Sequence, residues 1–193
     1  MPRRLVLAST SIYRQELLSR LGHLFEIAAP ETNEVVLPGE SPLHTALRLS
    51  EQKAKAVSAQ YPDALIIGSD QVAHMGDIIF GKPGNHDRAS QQLRQLSGNS
   101  VNFISGVSVY DSANQRIETR GVVTKVTFRQ LSESTIQAYL QKEQPFNCAG
   151  SAKSEGLGIA LIARMECDDP TALIGLPLIA LCDLLKIHGV SLI

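Results

Sequence analysis

Short apolar runs alternate with helix-patterned segments along almost the whole chain, and this alternation constrains the fold more than any other feature. Leu5–Ala8 and Ala64–Gly68 (ALIIG) are apolar stretches with no polar residue inside them. Strands that are buried on both faces read this way. Such strands need a layer of helices above and below. Ile12–Leu21 supplies one helix, with Leu17, Leu18 and Leu21 on one face and Gly22 as a stop. Phe25–Ala29 reads as a second strand, and Pro30 to Gly39 as a loop. Ser41-Pro42 carries an N-cap followed by Pro at the first helical position, which opens a helix to about Gln60. Val72–His74 and Ile78–Phe80 flank Gly76-Asp77 and predict a hairpin. Asn85 caps a helix that ends at Gly98. Val101–Tyr110 and Ile117–Arg129 are long β segments around the polar turn Ser112–Gln115. Ser132–Lys142 is helical, a strand is expected near Leu157–Ile162, and a last helix runs from about Leu176 to Ile187. The pattern predicts an α/β fold with an elongated, mixed β-sheet flanked by helices.

Composition removes several classes of function. Eighteen Lys and Arg stand against nineteen Asp and Glu, a net charge of −1. That balance argues against a polymer of nucleic acid held by bulk charge, though a few local cations suffice for one small anion. The longest near-continuous apolar run, Ala172 to Cys182, is interrupted by Gly175 and Pro177. A membrane span needs roughly 18 apolar residues, so no membrane association is expected. The apolar stretch after Arg3-Arg4 is too short for a secretory signal. Cys148, Cys167 and Cys182 show no CxxC spacing, which suggests neither a disulfide framework nor a zinc site. A reduced, cytoplasmic setting is the expectation.

The familiar phosphate loops, GxxxxGK[ST] and GxGxxG, do not occur, and neither does a GxSxG elbow or an HExxH pair. Polar residues gathered at the ends of elements carry the chemistry instead. Ser9-Thr10-Ser11-Ile12-Tyr13-Arg14 places hydroxyls and a helix start after a strand, a natural anion site with Arg14 as a bidentate charge. The plainer reading is a Ser N-cap beside a surface arginine. Gly68-Ser69-Asp70-Gln71 places a carboxylate at the end of a buried strand, where it can hold Mg2+ or activate a water, or merely satisfy a turn. Lys82, between Gly81 and Pro83, is either aimed at phosphate or solvated. Lys53 shares a helix side with Ala46, Ser50 and Val57, while Lys55 points away. A lysine in that position snorkels or meets an anion. Glu34 lies in the Pro30–Gly39 loop, and the glycines of the segment from Ala149 to Gly156 permit close backbone approach to a ligand. Asp168-Asp169-Pro170 and Leu176-Pro177-Leu178 read as structural, a turn and the opening of an apolar helix.

Taken in order, Leu7-Ala8-Ser9-Thr10-Ser11 with Arg14, Glu34, Glu51-Gln52-Lys53-Ala54, Gly68-Ser69-Asp70-Gln71, Gly81-Lys82-Pro83, Ala149-Gly150 and Gly175-Leu176-Pro177-Leu178 resemble the Maf-like nucleotide pyrophosphatases. The resemblance runs from residue 5 to about residue 187. It implies one domain over residues 1–193, built as two lobes around a cleft, with a fold like that of the inosine triphosphate pyrophosphatases. It also implies a cytoplasmic homodimer that cleaves a nucleoside triphosphate to the monophosphate and pyrophosphate with a divalent cation (Mg2+, Mn2+ or Co2+). Carried over residue by residue, it makes Ser9, Ser11, Arg14, Lys53 and Lys82 substrate-binding, Glu34 and Asp70 metal-binding, and Asp70 the proton acceptor. Gly68-Ser69-Asp70-Gln71 and the segment from Ala149 to Gly156 look like the branch that hydrolyses 7-methyl-GTP, with Tyr13, Gln71 and Glu155 setting specificity. N7-methylation makes guanine cationic, which suits stacking on Tyr13. A carboxylate such as Glu155 can accept from the N1–H and N2–H edge of guanine. The alternatives are a pyrophosphatase for dTTP, UTP or other non-standard nucleotides, and a non-catalytic nucleotide-binding regulator of cell division.

Overall fold

The central strands alternate their side chains between two helical layers. The computed structural model describes residues 3–192. β1 (Leu5–Ala8) pairs in parallel with β2 (Phe25–Ala28) and with β3 (Leu65–Met75). Leu5, Leu7, Leu65 and Ile67 face one way and meet Leu17 and Leu18 of α1 (Ile12–Ser19) together with Leu181, Leu184 and Leu185 of α5 (Leu178–Ile187). Val6, Ala8 and Ile66 face the other way, onto Ala54 of α2 (Pro42–Ala56) and Val57 beyond its end. Both faces of β1 and of the start of β3 are dry, which is why Leu5–Ala8 and Leu65–Gly68 carry no polar alternation.

The remaining elements are β4 (Ile78–Phe80), α3 (His86–Leu96), β5 (Ser100–Asp111), β6 (Arg116–Phe128), α4 (Glu133–Glu143) and β7 (Ile162–Glu166). The strands hydrogen-bond in the order β2-β1-β3-β5-β6-β7, with β4 paired to β3. β3 and β4 are antiparallel, as are β6 and β7, so the sheet is mixed. The described residues form two compact units. One holds those up to Gln71, Ile104–Val122 and those from Asp169 on; the other holds Val72–Phe103 and Val123–Asp168. Among the described residues no helix is long and apolar enough to cross a membrane.

Local signals place the helix starts. Ser11, Ser41, Asn85 and Ser132 are the N-caps of α1, α2, α3 and α4, each accepting a backbone N–H three residues on. Two elements differ from the sequence expectation. The strands expected over Ala64–Gly68 and Val72–His74 are one, β3, which runs unbroken to Met75, so Asp70 lies within a strand and neither at its end nor in a turn. Gly68 is there for space: a Cβ on it would fall 2.1 Å from the Ser50 carbonyl oxygen of α2. Gly106 on β5 makes the same allowance, 2.4 Å from the Ala46 carbonyl oxygen. The strand expected near Leu157–Ile162 begins only at Ile162, since Leu157–Leu161 is a 3-10 turn. There the Glu143 carboxylate accepts the Leu157 N–H at 2.7 Å and takes that donor from strand pairing.

Candidate active site

Alternation along β3 divides its polar residues between the two helical layers. Gly68 and Asp70 fall on the α2 side, while Ser69 and Gln71 fall on the α1 and α5 side. β1 ends at Ala8 opposite Gly68, so Asp70 extends just past the carboxyl end of β1. Crevices at the carboxyl ends of parallel strands are the usual ligand sites of open α/β sheets.

Seating α2 on Gly68 and Gly106 brings Lys53 down onto the sheet. Lys53 is buried, with its Nζ 2.5 Å from Asp70 Oδ1 and 2.6 Å from Glu34 Oε1. Asp70 is buried with it, whereas the Glu34 side chain is 49% exposed. Neither snorkelling nor simple solvation describes this pair. The lysine bridges a buried carboxylate and one that reaches solvent. Glu34 sits on a loop without regular structure, and a fork of hydrogen bonds ties that loop to α2. Arg48 Nε and Nη2 donate to the two Glu40 carboxylate oxygens at 2.6 and 2.7 Å, and Nη2 also donates to the Val35 carbonyl at 3.1 Å. Arg48 holds the Glu40 carboxyl down at about 2.

The α1 side adds the complementary charge. Ser9 is buried, and its Oγ accepts the Ser11 N–H at 3.1 Å. Ser11 Oγ accepts the Arg14 N–H as the α1 cap. The Arg14 Nε donates to the Gly175 carbonyl at 2.8 Å, and Nη1 reaches Ser9 Oγ at 3.5 Å. Burial lowers the Arg14 pKa, and the charges of Asp70 and Glu34 push it back up. One small region thus holds Ser9, Ser11, Arg14, Glu34, Lys53 and Asp70. Two cations and two carboxylates balance there. The N-terminus of α1 adds its partial positive charge.

Among the described residues no three His, Cys, Asp or Glu side chains gather into a ready-made metal cage. Asp70 and Glu34 nevertheless make a fitting pair of oxygen donors. Mg2+ is typically held by one or two carboxylates with substrate phosphates and waters completing the shell.

The model of the family described as Maf-like protein matches residues 4–188. The chain belongs to this family. It is 53% identical to the 7-methyl-GTP pyrophosphatase of Cupriavidus pinatubonensis over 186 residues, covering 96% of this chain and 94% of the relative. It is 53% identical to the protein of the same name from Thiobacillus denitrificans, over 98% of this chain and 94% of the relative. The protein of that name from Methylobacillus flagellatus is also 53% identical, with 98% of each chain covered.

The other site residues expected of a Maf-like chain lie as follows. Tyr13 is half-buried in the first turn of α1. Lys82 is exposed in the loop after β4, and Glu155 is exposed with Ser154 Oγ donating to it at 3.3 Å. Both belong to the second unit. Within that unit α4 holds the Glu155 segment: Lys153 Nζ lies 3.1 Å from Glu143, and the Lys153 N–H donates to Tyr139 Oη at 3.1 Å. Gln71 faces away from Asp70, and its amide nitrogen donates to Ser105 Oγ and to the carbonyls of Ala172 and Leu173. Ser69 and Gly175 stand in the sequence motifs without a role of their own, and Ser105, Glu40 and Arg48 stand in none. Serines inside apolar strands were a usable signal, because a buried hydroxyl must find a partner. The Glu40–Arg48 fork had none, since its geometry depends on how the loop folds back.

Proposed function

We propose that this Maf-like protein is a nucleoside triphosphate pyrophosphatase that hydrolyses 7-methyl-GTP to 7-methyl-GMP and pyrophosphate. The observation that carries the reading is the Lys53 ammonium held between Asp70 and Glu34 beside Arg14 and the α1 N-terminus. The relatives that bear the name 7-methyl-GTP pyrophosphatase, at about half identity over nearly the whole chain, support the same substrate.

Arg14 binds the triphosphate through its terminal nitrogens, while Ser9, Ser11 and the first amides of α1 add neutral donors. Lys82 supplies a further cation. Asp70 orients a water against the α-phosphorus and takes its proton. As the new oxygen–phosphorus bond forms, the α–β anhydride bond breaks and pyrophosphate leaves. Lys53 fixes the Asp70 carboxylate, so little reorganisation is needed during the step. A triphosphate overwhelms the charge balance of Arg14, Lys53, Asp70 and Glu34, so the reaction calls for an added cation. Asp70 and Glu34 would hold Mg2+, Mn2+ or Co2+, which when bound neutralises phosphate charge and acidifies water. Tyr13 stacks on the cationic base, and Glu155 accepts from its N1–H and N2–H edge. The enzyme works on free nucleotide in the cytoplasm, as a homodimer.

Pyrophosphate release across a nucleotide panel, with and without Mg2+, tests this reading. Asp70→Asn should abolish turnover and leave the circular dichroism spectrum unchanged. Near-normal turnover in that variant, or dTTP or UTP outpacing 7-methyl-GTP, would overturn it.

A further inference from the structure

Gln71 has no amide proton left to offer a nucleotide. Its side chain carries two N–H donors. Three protein acceptors surround them: Ser105 Oγ at 3.0 Å, the Ala172 carbonyl at 3.1 Å and the Leu173 carbonyl at 2.9 Å. Ser105 Oγ in turn donates to the Ala172 carbonyl at 2.6 Å. Two residues earlier on the same side of β3, the buried Ser69 hydroxyl is shared between the carbonyls of Gly106 and Gly175, both at 2.8 Å. Every one of these bonds ends on the short segment from Ala172 to Gly175 or on the strand beside it. The segment is a single 3-10 turn that finishes at Gly175 with φ +119°, a conformation that favours glycine.

The same Gly175 carbonyl receives the Arg14 Nε at 2.8 Å. Arginine offers five donors in a rigid fork. Holding Nε on a fixed carbonyl restrains the plane of the guanidinium, and the charges of Asp70 and Glu34 act on that group.

We infer that Ser69, Gln71 and Ser105 are positioning residues for Arg14, acting through the Ala172–Gly175 turn. The inference rests on the proposed contact of Arg14 with the triphosphate.

The test is a set of double-mutant cycles read as kcat/KM for 7-methyl-GTP, GTP and UTP. Gln71→Met and Ser69→Ala are each made alone and in an Arg14→Ala background, and affinity for a non-hydrolysable triphosphate analogue is measured by calorimetry. Each single variant should lower kcat/KM about 10-fold for all three nucleotides, leaving their ratios unchanged, because a misplaced anion clamp is blind to the base. In the Arg14→Ala background the same substitutions should cost less than about twofold. Effects that multiply in that background would overturn the inference, as would a changed nucleotide ratio in Gln71→Met. Unimpaired activity and analogue binding in Arg14→Ala would remove the triphosphate contact itself, a separate failure that takes the inference with it. Ser69→Ala removes one hydroxyl with little change of volume, so it carries the test if Gln71→Met does not fold.

Discussion

Adding one methyl group at Gly68 is expected to disable this protein in two measurable ways. Gly68 has no positive φ, so alanine meets no backbone strain there. The obstacle is the helix above it. A Cβ would lie 2.1 Å from the Ser50 carbonyl oxygen and 2.7 Å from the Ala54 nitrogen, both backbone atoms of α2. Ordinary carbon–oxygen contacts lie at about 3.3–3.6 Å, so α2 must retreat by about 1 Å. Overpacking of this kind costs about 1–3 kcal/mol, and the upper end applies because a whole helix must move. Lys53 rides on α2 one turn from Ser50, and its ammonium lies 2.5 Å from Asp70. A shift of about 1 Å at that pair should lower pyrophosphate release by about 100-fold. Urea denaturation gives the stability loss, and coupled phosphate release, at a temperature where the variant stays folded, gives the activity. Gly76→Ala is the comparator. Gly76 has φ +56° with open space around it, so that variant should lose about 1 kcal/mol to backbone strain and keep full activity. A Gly68→Ala protein within about 0.5 kcal/mol of the parent and fully active would refute the argument that α2 is seated by this glycine.

Two further outcomes follow from the polar anchors. Arg48 lowers the Glu40 carboxyl from 4.5 to about 2, so this group contributes stability above pH 4.5 and loses it as the pH falls toward 2. Urea midpoints measured between pH 5 and pH 2.5 should fall less steeply in Glu40→Gln than in the parent, and equal slopes would count against the pairing. Asp169 is buried, accepting from the Thr171 N–H and hydroxyl and from the Ile179 N–H at the start of α5. Asp169→Ala should cost about 2 kcal/mol, as loss of a buried cap does. Asp168→Ala, at an exposed position, should cost almost nothing, and equal losses in the two variants would contradict the cap.

Much of this architecture is legible one segment at a time. Ser11, Ser41, Asn85 and Ser132 announce their helices because a cap bonds only three residues ahead. Leu5–Ala8 announces a strand covered on both faces because nothing polar interrupts it. Gly68 misleads for the opposite reason. In sequence a glycine after an apolar run looks like a turn, whereas here it answers to a helix that begins twenty-six residues earlier, at Pro42. Asp70 therefore sits inside a continuous strand, where rigid neighbours hold it more firmly than a turn could.

The site divides along the same line. Residue types offer Ser9, Arg14, Glu34, Lys53, Asp70 and Lys82 only as candidates with plainer readings beside them, and it is the resemblance to the Maf-like family that picks them out. The charge balance likewise argues against a nucleic-acid polymer held by bulk charge. Which of these groups meet is a matter of tertiary structure. Helical periodicity turns Lys53 toward the sheet, but only the close seat on Gly68 and Gly106 and the loop tied back by Arg48 put it between Asp70 and Glu34. The two-residue period of β3 then sends Gln71 to the side opposite Asp70, although the two are neighbours in sequence. Chemical capacity is a property of single residues and can be read from the chain alone. Contact and orientation depend on which distant segments pack together, and only the tertiary structure decides them.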